Sequence, residues 1–481
     1  MRLNRRQFLV SSGLAAAGLG LGACGNDGAS RSGDSPGVLK WWDPRQPVAD
    51  IQREIFAEFA ESDGGLQVDY TVYNPAEMGE ALQLAKQSGQ MPDVFTIFGL
   101  DLNPGGLVDE GWFTPIKLDD DVRAGIPEGI LLEGINVFDG EVYGLPVNDF
   151  RGLNILTWFN RELYEQAGLD PENPPVTYDD IRAATRKIRG LGDDLYGWVA
   201  PIKETGRMGQ HIEELAQAAG APTLGGVDLR TGEYQFHSQY HLDALEWWLA
   251  MSQDGVLFPA STSLDARQAR ARWVTGQSAI FFDAQFNMAE VVLNFADFES
   301  KVALGPLAVP EPSENVVVSK GPVHAGATHW IAAESEHVDE ASALISWFGK
   351  KEIQARIVEG MNAVPLFPEV VETADVHPLF KKAVEIIFEH VFLAPNPVVR
   401  NPDVAVAQAQ MKPIDPDFGS IVAGTLTGDV TDYKAALEKL SSDTTAERDR
   451  AIEEARKQGA QVSVDDWAFP DWASGQNYTY S

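Results

Sequence analysis

From Val38 onward the chain alternates short apolar runs with stretches of helical hydrophobic spacing, and this alternation limits the fold more than any other feature. Residues 38–42 suit a buried strand, and Val48, Ile51, Ile55, Phe56 and Phe59 then recur on one face of a helix. Gly64 and Gly65 break that helix. Residues 66–73 alternate as a second strand, Met78, Leu82 and Ala85 mark a second helix, and residues 93–98 make a third strand. Parallel strands need a long crossover that packs on the sheet face, so the order predicts an α/β fold of mostly parallel sheets flanked by helices. Ligands of open sheets bind beyond the carboxyl ends of the strands, which singles out residues 43–46 and 99–103.

A second block repeats the alternation. Strands are expected at residues 155–159, 196–200, 278–282 and 301–307, and helices at 161–166, 178–188, 211–219 and 242–252. The last hundred residues read as mainly helical, with 432–440 and 445–458 as two examples. The tail from residue 462 carries Trp467, Phe469 and Trp472 and is expected to pack back onto the body. At 481 residues, with 44% hydrophobic and 22% charged, the chain has material for at least two lobes with cores of their own. Against 71 Asp and Glu stand 37 Lys and Arg, a net charge of −34 that repels a phosphate backbone and excludes nucleic acid as an expected partner. The single cysteine excludes an intrachain disulfide.

The first residues read as an address. Arg2, Arg5 and Arg6 precede an apolar, glycine-rich run that ends at Cys24 and is too short to span a bilayer, so a signal peptide over residues 1–23 is expected. Asn4-Arg5-Arg6-Gln7-Phe8-Leu9 resembles a twin-arginine export signal, with Asn in place of the usual Ser or Thr. Leu21-Gly22-Ala23-Cys24 resembles a bacterial lipobox, which implies lipidation of Cys24 and anchoring on the outer face of the cell membrane. Removal of residues 1–23 takes away three arginines and no acid, moving the net charge from −34 to −37. Residues 24–36, rich in Gly, Ser and Asp, read as a flexible tether.

Catalytic signatures are missing. Gly276-Gln277-Ser278-Ala279-Ile280 fails the nucleophile-elbow pattern at its last position, and His237 and His241 lack the glutamate of a zinc helix. The acidic runs at 119–121 and 415–417 lack the spaced oxygens of a calcium loop. No metal and no cofactor are expected. A carboxylate pair for glycoside hydrolysis stays open, because 71 acids always supply some pair at a plausible separation.

A collinear series of segments resembles the solute-binding proteins of ABC importers, in the family of maltose-binding protein. Leu39-Lys40-Trp41-Trp42-Asp43 resembles the family's opening strand, and Met91-Pro92-Asp93-Val94 its third. Gly140-Glu141-Val142-Tyr143-Gly144-Leu145-Pro146, then Trp158-Phe159-Asn160-Arg161-Glu162-Leu163 and Ala167-Gly168-Leu169, are similar to its longest signature. Thr275-Gly276-Gln277-Ser278-Ala279-Ile280 and Gly305-Pro306-Leu307 continue the series. The resemblance implies a two-lobed periplasmic-binding-protein-like fold without enzymatic activity. Residues 37–147 and 327–362 would form the first lobe and 151–322 and 366–481 the second, with crossings near 146–152, 321–327 and 362–368. It further implies a monomer that holds a sugar between the lobes and meets membrane subunits of a permease.

A sugar offers apolar C–H faces and rings of hydroxyls, so its site needs aromatic platforms beside planar polar groups. The implied loops supply them. Trp42, Asp43, Arg45, Phe98 and Asp101 come from the first lobe, Asn148, Asp149 and Arg151 from the crossing, Arg207, Asp283 and Phe286 from the second lobe, and His324 and Thr328 from the second crossing. Asp43, Asp101, Asn148 and Asp149 would bond hydroxyls, Arg45 and Arg151 would do so or orient the acids, and Phe286 would stack. Trp42 reads equally as strand core, whereas Trp41 and Trp158 read as core only. Arg45, Asp101 and Arg207 read equally as exposed loop charges. Three arginines converging in the cleft would instead favour an anion such as a polyol phosphate.

Overall fold

The computed structural model describes residues 37–100, 104–322 and 328–480. The signal peptide, the tether, Cys24, Asp101 and His324 lie outside the described residues.

The first sheet runs in the order Gln67–Val72, Val38–Asp43, Val94–Phe95, Thr328–Ala332 and Phe113–Thr114, with Gly144–Pro146 also paired to Thr328–Ala332. Its opening strands pair in parallel through the helices Ala49–Glu61 and Pro75–Ser88, as the spacing predicts. The remaining pairings are antiparallel, so the sheet is mixed and not mostly parallel. Thr328 starts its strand beside Pro146, and His329 stands against Asp43, where the opening strand ends; a strand entering at that edge must run the other way. Alternate residues feed the two faces. Trp41, Val94 and Ile331 join Phe56, Leu344 and Phe348 on one, while Phe95 and Trp330 join Met78, Leu82 and Phe113 on the other.

The third strand is shorter than expected, only Val94–Phe95, because the chain turns at Ile97–Leu100 through a Leu100 N to Ile97 O bond with Gly99 at φ +79°. The turn presses on the helix Pro75–Ser88 so closely that a Cβ on Gly79 would lie 2.0 Å from the Gly99 carbonyl oxygen.

The second sheet runs Val302–Leu304, Leu156–Asn160, Ser278–Asp283, Tyr196–Val199, and it too is mixed, with one parallel pairing. Leu156 faces Asp283, so one strand begins where its neighbour ends. The two tryptophans read as core only, Trp41 and Trp158, are fully buried. The helix expected from residue 211 starts at Thr205 and is buried on nearly every side.

The two C-terminal helices expected are one, Tyr433–Lys457. Ser441, Thr444 and Thr445 return their hydroxyls to carbonyls four residues back, so these side chains are satisfied within the helix along the polar run. The tail packs as expected: Phe469 is fully buried under the Arg400 guanidinium at 3.9 Å, and Tyr478 donates to Leu393 O.

Candidate functional site

Residues 146–152 run beside residues 362–368. Asp149 N donates to Val364 O at 3.0 Å, and the buried Gln354 donates to Val147 O while accepting from Leu366 N.

At the end of the opening strand the Asp43 carboxylate is fully buried. Its Oδ2 accepts from Trp41 Nε1 and Gln52 Nε2 at 2.9 Å, and its Oδ1 from Arg45 N and Tyr70 Oη at 2.9 and 2.8 Å. Burial alone would push this carboxyl up, but the donors and the neighbouring charges outweigh it and hold it well below the usual carboxylate range. His329 Nε2 stands 3.5 Å away, and burial keeps that imidazole below its ordinary value. The lowering comes first from His329, then from the Arg45 charge and the Gln52 hydrogen bond. Asp43 thus has its oxygens engaged by protein donors.

Arg45 is buried, 3% exposed, which sets aside the exposed-loop alternative. Its Nη2 donates to Asn148 Oδ1 at 3.1 Å, and its Nε and Nη1 have no hydrogen-bond partner among the described residues. Asp149 and Arg151 form a closed pair, with Nε to Oδ1 at 2.8 Å and Nη2 to Oδ2 at 2.7 Å, and the Arg151 guanidinium lies 4.0 Å from the Phe388 ring. Trp42 is half-buried against Tyr73, Phe98 is 36% exposed, and Thr328 is buried.

A second group sits at the end of Ser278–Asp283. The buried Asp283 accepts from Arg207 Nη1 at 2.9 Å, from Arg270 Nη2 at 2.5 Å and from Ala284 N. Arg207 also pairs with Glu204, and Arg270 donates to Asn287. Phe286 is half-buried, with the Arg270 guanidinium 5.6 Å from its ring. Two neighbours escaped the sequence reading. Gln285 is buried near Gly152 with its Oε1 unpartnered among the described residues, and Glu214 holds Asn154 and Lys320. Neither carries a sequence motif. His211 is fully buried with both ring nitrogens unpartnered among the described residues; burial, then Arg207 and Lys320, keep its pKa well below the ordinary value. Among the described residues, no cluster of three or more His, Cys, Asp or Glu is arranged to hold a metal ion, and no helix is long and apolar enough to cross a membrane.

The structure thus brings Arg45 to Asn148, Asp149 to Arg151, and Arg207 to Asp283. The profile of one family, bacterial extracellular solute-binding proteins, matches residues 42–355, a span that contains all three pairs. The chain belongs to the bacterial extracellular solute-binding proteins. A binding protein of Brucella abortus (strain 2308) is 24% identical over 243 residues, 49% of this chain and 53% of that protein. The sn-glycerol-3-phosphate-binding periplasmic protein of Rhizobium meliloti (strain 1021) is 20% identical over 243 residues, 47% of this chain and 50% of that protein. The chain therefore spans about half the length of the curated relatives it matches. In fold, the crystal structure of the cyclic α-maltosyl-1,6-maltose binding protein from Arthrobacter globiformis superposes with a TM-score of 0.62, covering 86% of this chain and 100% of that one at 17% identity. This solute-binding protein shares the two-lobed α/β fold of the maltose-binding-protein-like carriers of ABC importers.

Proposed function

We propose that this solute-binding protein captures a neutral mono- or oligosaccharide between two lobes, residues 37–147 with 327–362 and 151–322 with 366–481, and presents it to an ABC permease. The observation that carries the choice of a neutral ligand is charge compensation. Arg151 is matched by Asp149, Arg207 by Glu204 and Asp283, Arg270 by Asp283 with Glu290 beside it, and Arg45 lies in the field of Asp43. A phosphate needs uncompensated donors, whereas hydroxyls suit paired acids and guanidiniums that keep spare lone pairs and protons. Trp42, Phe98 and Phe286 supply apolar surface for sugar C–H faces. Asn148, Asp149 and Asp101 bond hydroxyls, His324 and Thr328 belong to the same ligand-binding set, and Asp43 and Asp283 orient Arg45 and Arg207. The ligand stabilises the closed arrangement by binding it better than the open one. Export by a twin-arginine signal, a lipid on Cys24 and a monomeric body complete the reading.

A polyol phosphate is the second reading, favoured by the sn-glycerol-3-phosphate-binding relative and by the two unpartnered nitrogens of the buried Arg45. Isothermal titration of the Cys24→Ser protein against mono- and disaccharides, polyols and sn-glycerol 3-phosphate separates them. Micromolar or tighter binding of a neutral sugar, about −8 kcal/mol, with no product on long incubation supports the proposal. Binding of the phosphate alone would transfer the site to the second reading, and product formation would make the protein an enzyme.

A further inference from the structure

The helix Thr205–Ala218 also lines a second space, through Gly206, Gly209, Gln210, Glu213, Glu214 and Gln217. Between it, the helix Phe418–Thr427 and the helix Tyr433–Lys457 lies a cavity of about 550 Å³, within the range of small-molecule sites. None of the residues placed at the sugar site lines it. Leu224, Phe236, Ile414, Phe418 and Leu440 supply apolar wall. Phe236 and Phe418 stand 5.0 Å apart as a continuous aromatic surface. The helices are pinned together at glycines, since a Cβ on Gly419 would lie 2.1 Å from Thr205 O, so the walls cannot close up by sliding inward there.

Its polar lining includes Glu213, Glu214 and Asp417 beside Lys320 and Lys412. Glu214, 2% exposed, accepts from Asn154 and from Lys320, and all three border the cavity. An ionic head would have to break that pairing at the cost of a buried, unpaired charge, whereas a hydroxyl or amide head can share its spare lone pairs and protons. An apolar space of this size gains contacts when filled by an apolar body.

We propose that this cavity is a second binding site, separate from the sugar site, for a small uncharged amphiphile: an aliphatic or aromatic body with one hydroxyl or amide head seated at Glu214, Asn154 and Lys320. The probe is 1-octanol, which lacks the hydroxyl ring of a sugar. Met411 lines the cavity, so the full chain labelled with carbon-13 at its methionine methyls reports occupancy, the Met411 resonance being assigned by Met411→Leu. Titration should shift that resonance saturably while methyls remote from the cavity stay in place. Ile414→Trp and Leu224→Trp fill the space from two walls, and each folded variant should bind the probe about tenfold more weakly or worse. No saturable shift, equal shifts at all methyls, or full affinity in both filled variants would overturn the site. Displacement of octanol by a ligand that protects Asp149 and Phe286 would make the cavity part of the sugar site and overturn its separateness.

Discussion

Glu214 accepts two hydrogen bonds from one residue, Asn154, through its backbone N at 2.7 Å and its Nδ2 at 2.9 Å. The same carboxylate takes Lys320 Nζ, so one buried side chain ties the segment that follows residues 146–152 to the strand Val318–Lys320. On the other side Arg45 holds Asn148. The region around residues 146–154 is therefore fixed from both ends by charged side chains that the strand pattern does not reveal.

Removing Glu214 leaves a half-buried lysine and a half-buried asparagine without their acceptor. Glu214→Ala should lower unfolding free energy by about 3 kcal/mol, read as a shift of the urea midpoint at unchanged slope. Glu214→Gln keeps one acceptor and should lose less.

His211 supplies a pH dependence of definite sign. Its folded pKa lies well below the ordinary value because it is buried beside Arg207 and Lys320, so the unfolded chain binds the extra proton first. Stability from this group is therefore complete above the unfolded value near 6.5 and falls as pH drops below it, by about 1.4 kcal/mol per pH unit until the folded imidazole titrates. His211→Phe keeps the ring that meets Trp248 edge-on and removes the titration. Chemical unfolding at pH 7.5 and pH 5.5 should show a smaller difference in the variant than in the parent by about that amount. Equal differences would mean that the histidine is protonated in place.

Asp149 and Arg151 pose a question that a double-mutant cycle answers. With both carboxylate oxygens engaged by Arg151, the acid either touches ligand through its remaining lone pairs or only positions the guanidinium. Arg151→Met, Asp149→Asn and their combination, titrated with the ligand found in the screen, give the coupling, expected at about 1–3 kcal/mol for a half-buried bidentate pair. Direct contact predicts that Asp149→Asn still weakens binding when Arg151 is already Met. A purely positioning acid predicts no further loss.

Most of the scaffold was legible because hydrophobic period is a local property. The helix Arg161–Gln166 matches its expected bounds, and Tyr178–Arg189 differs by one residue, since Asn160 and Thr177 cap them through side-chain oxygens readable in the sequence. Strand direction was not legible in full, because Thr328–Ala332 joins its sheet after a separation of more than two hundred residues from the opening strands. Buried charges were the least legible. Glu214 finds Asn154 sixty positions away and Lys320 further still, so nothing near Glu214 marks it as interior. Asp43 was correctly expected at a strand end, yet its saturation by Trp41, Gln52, Tyr70 and Arg45 exists only once the sheet and helix have assembled.

Phe286 carries the most direct test of the sugar reading. It is the half-buried aromatic at the end of the central strand of the second sheet, held on one side by Arg270 and followed by the helix Asn287–Asn294. If its open face stacks on a sugar ring, Phe286→Ala should weaken binding by about 1–3 kcal/mol without moving the urea midpoint by a comparable amount, since the ring is not core. Phe286→Trp enlarges the platform and should hold or tighten affinity for a ligand with an extended apolar face. A phosphate ligand predicts the opposite pattern, because its affinity depends on donors such as Arg45 and not on stacking area. Titration of Phe286→Ala and Arg45→Gln side by side therefore distinguishes the two ligand classes: a large loss in the first with a modest loss in the second marks a sugar, and the reverse marks an anion.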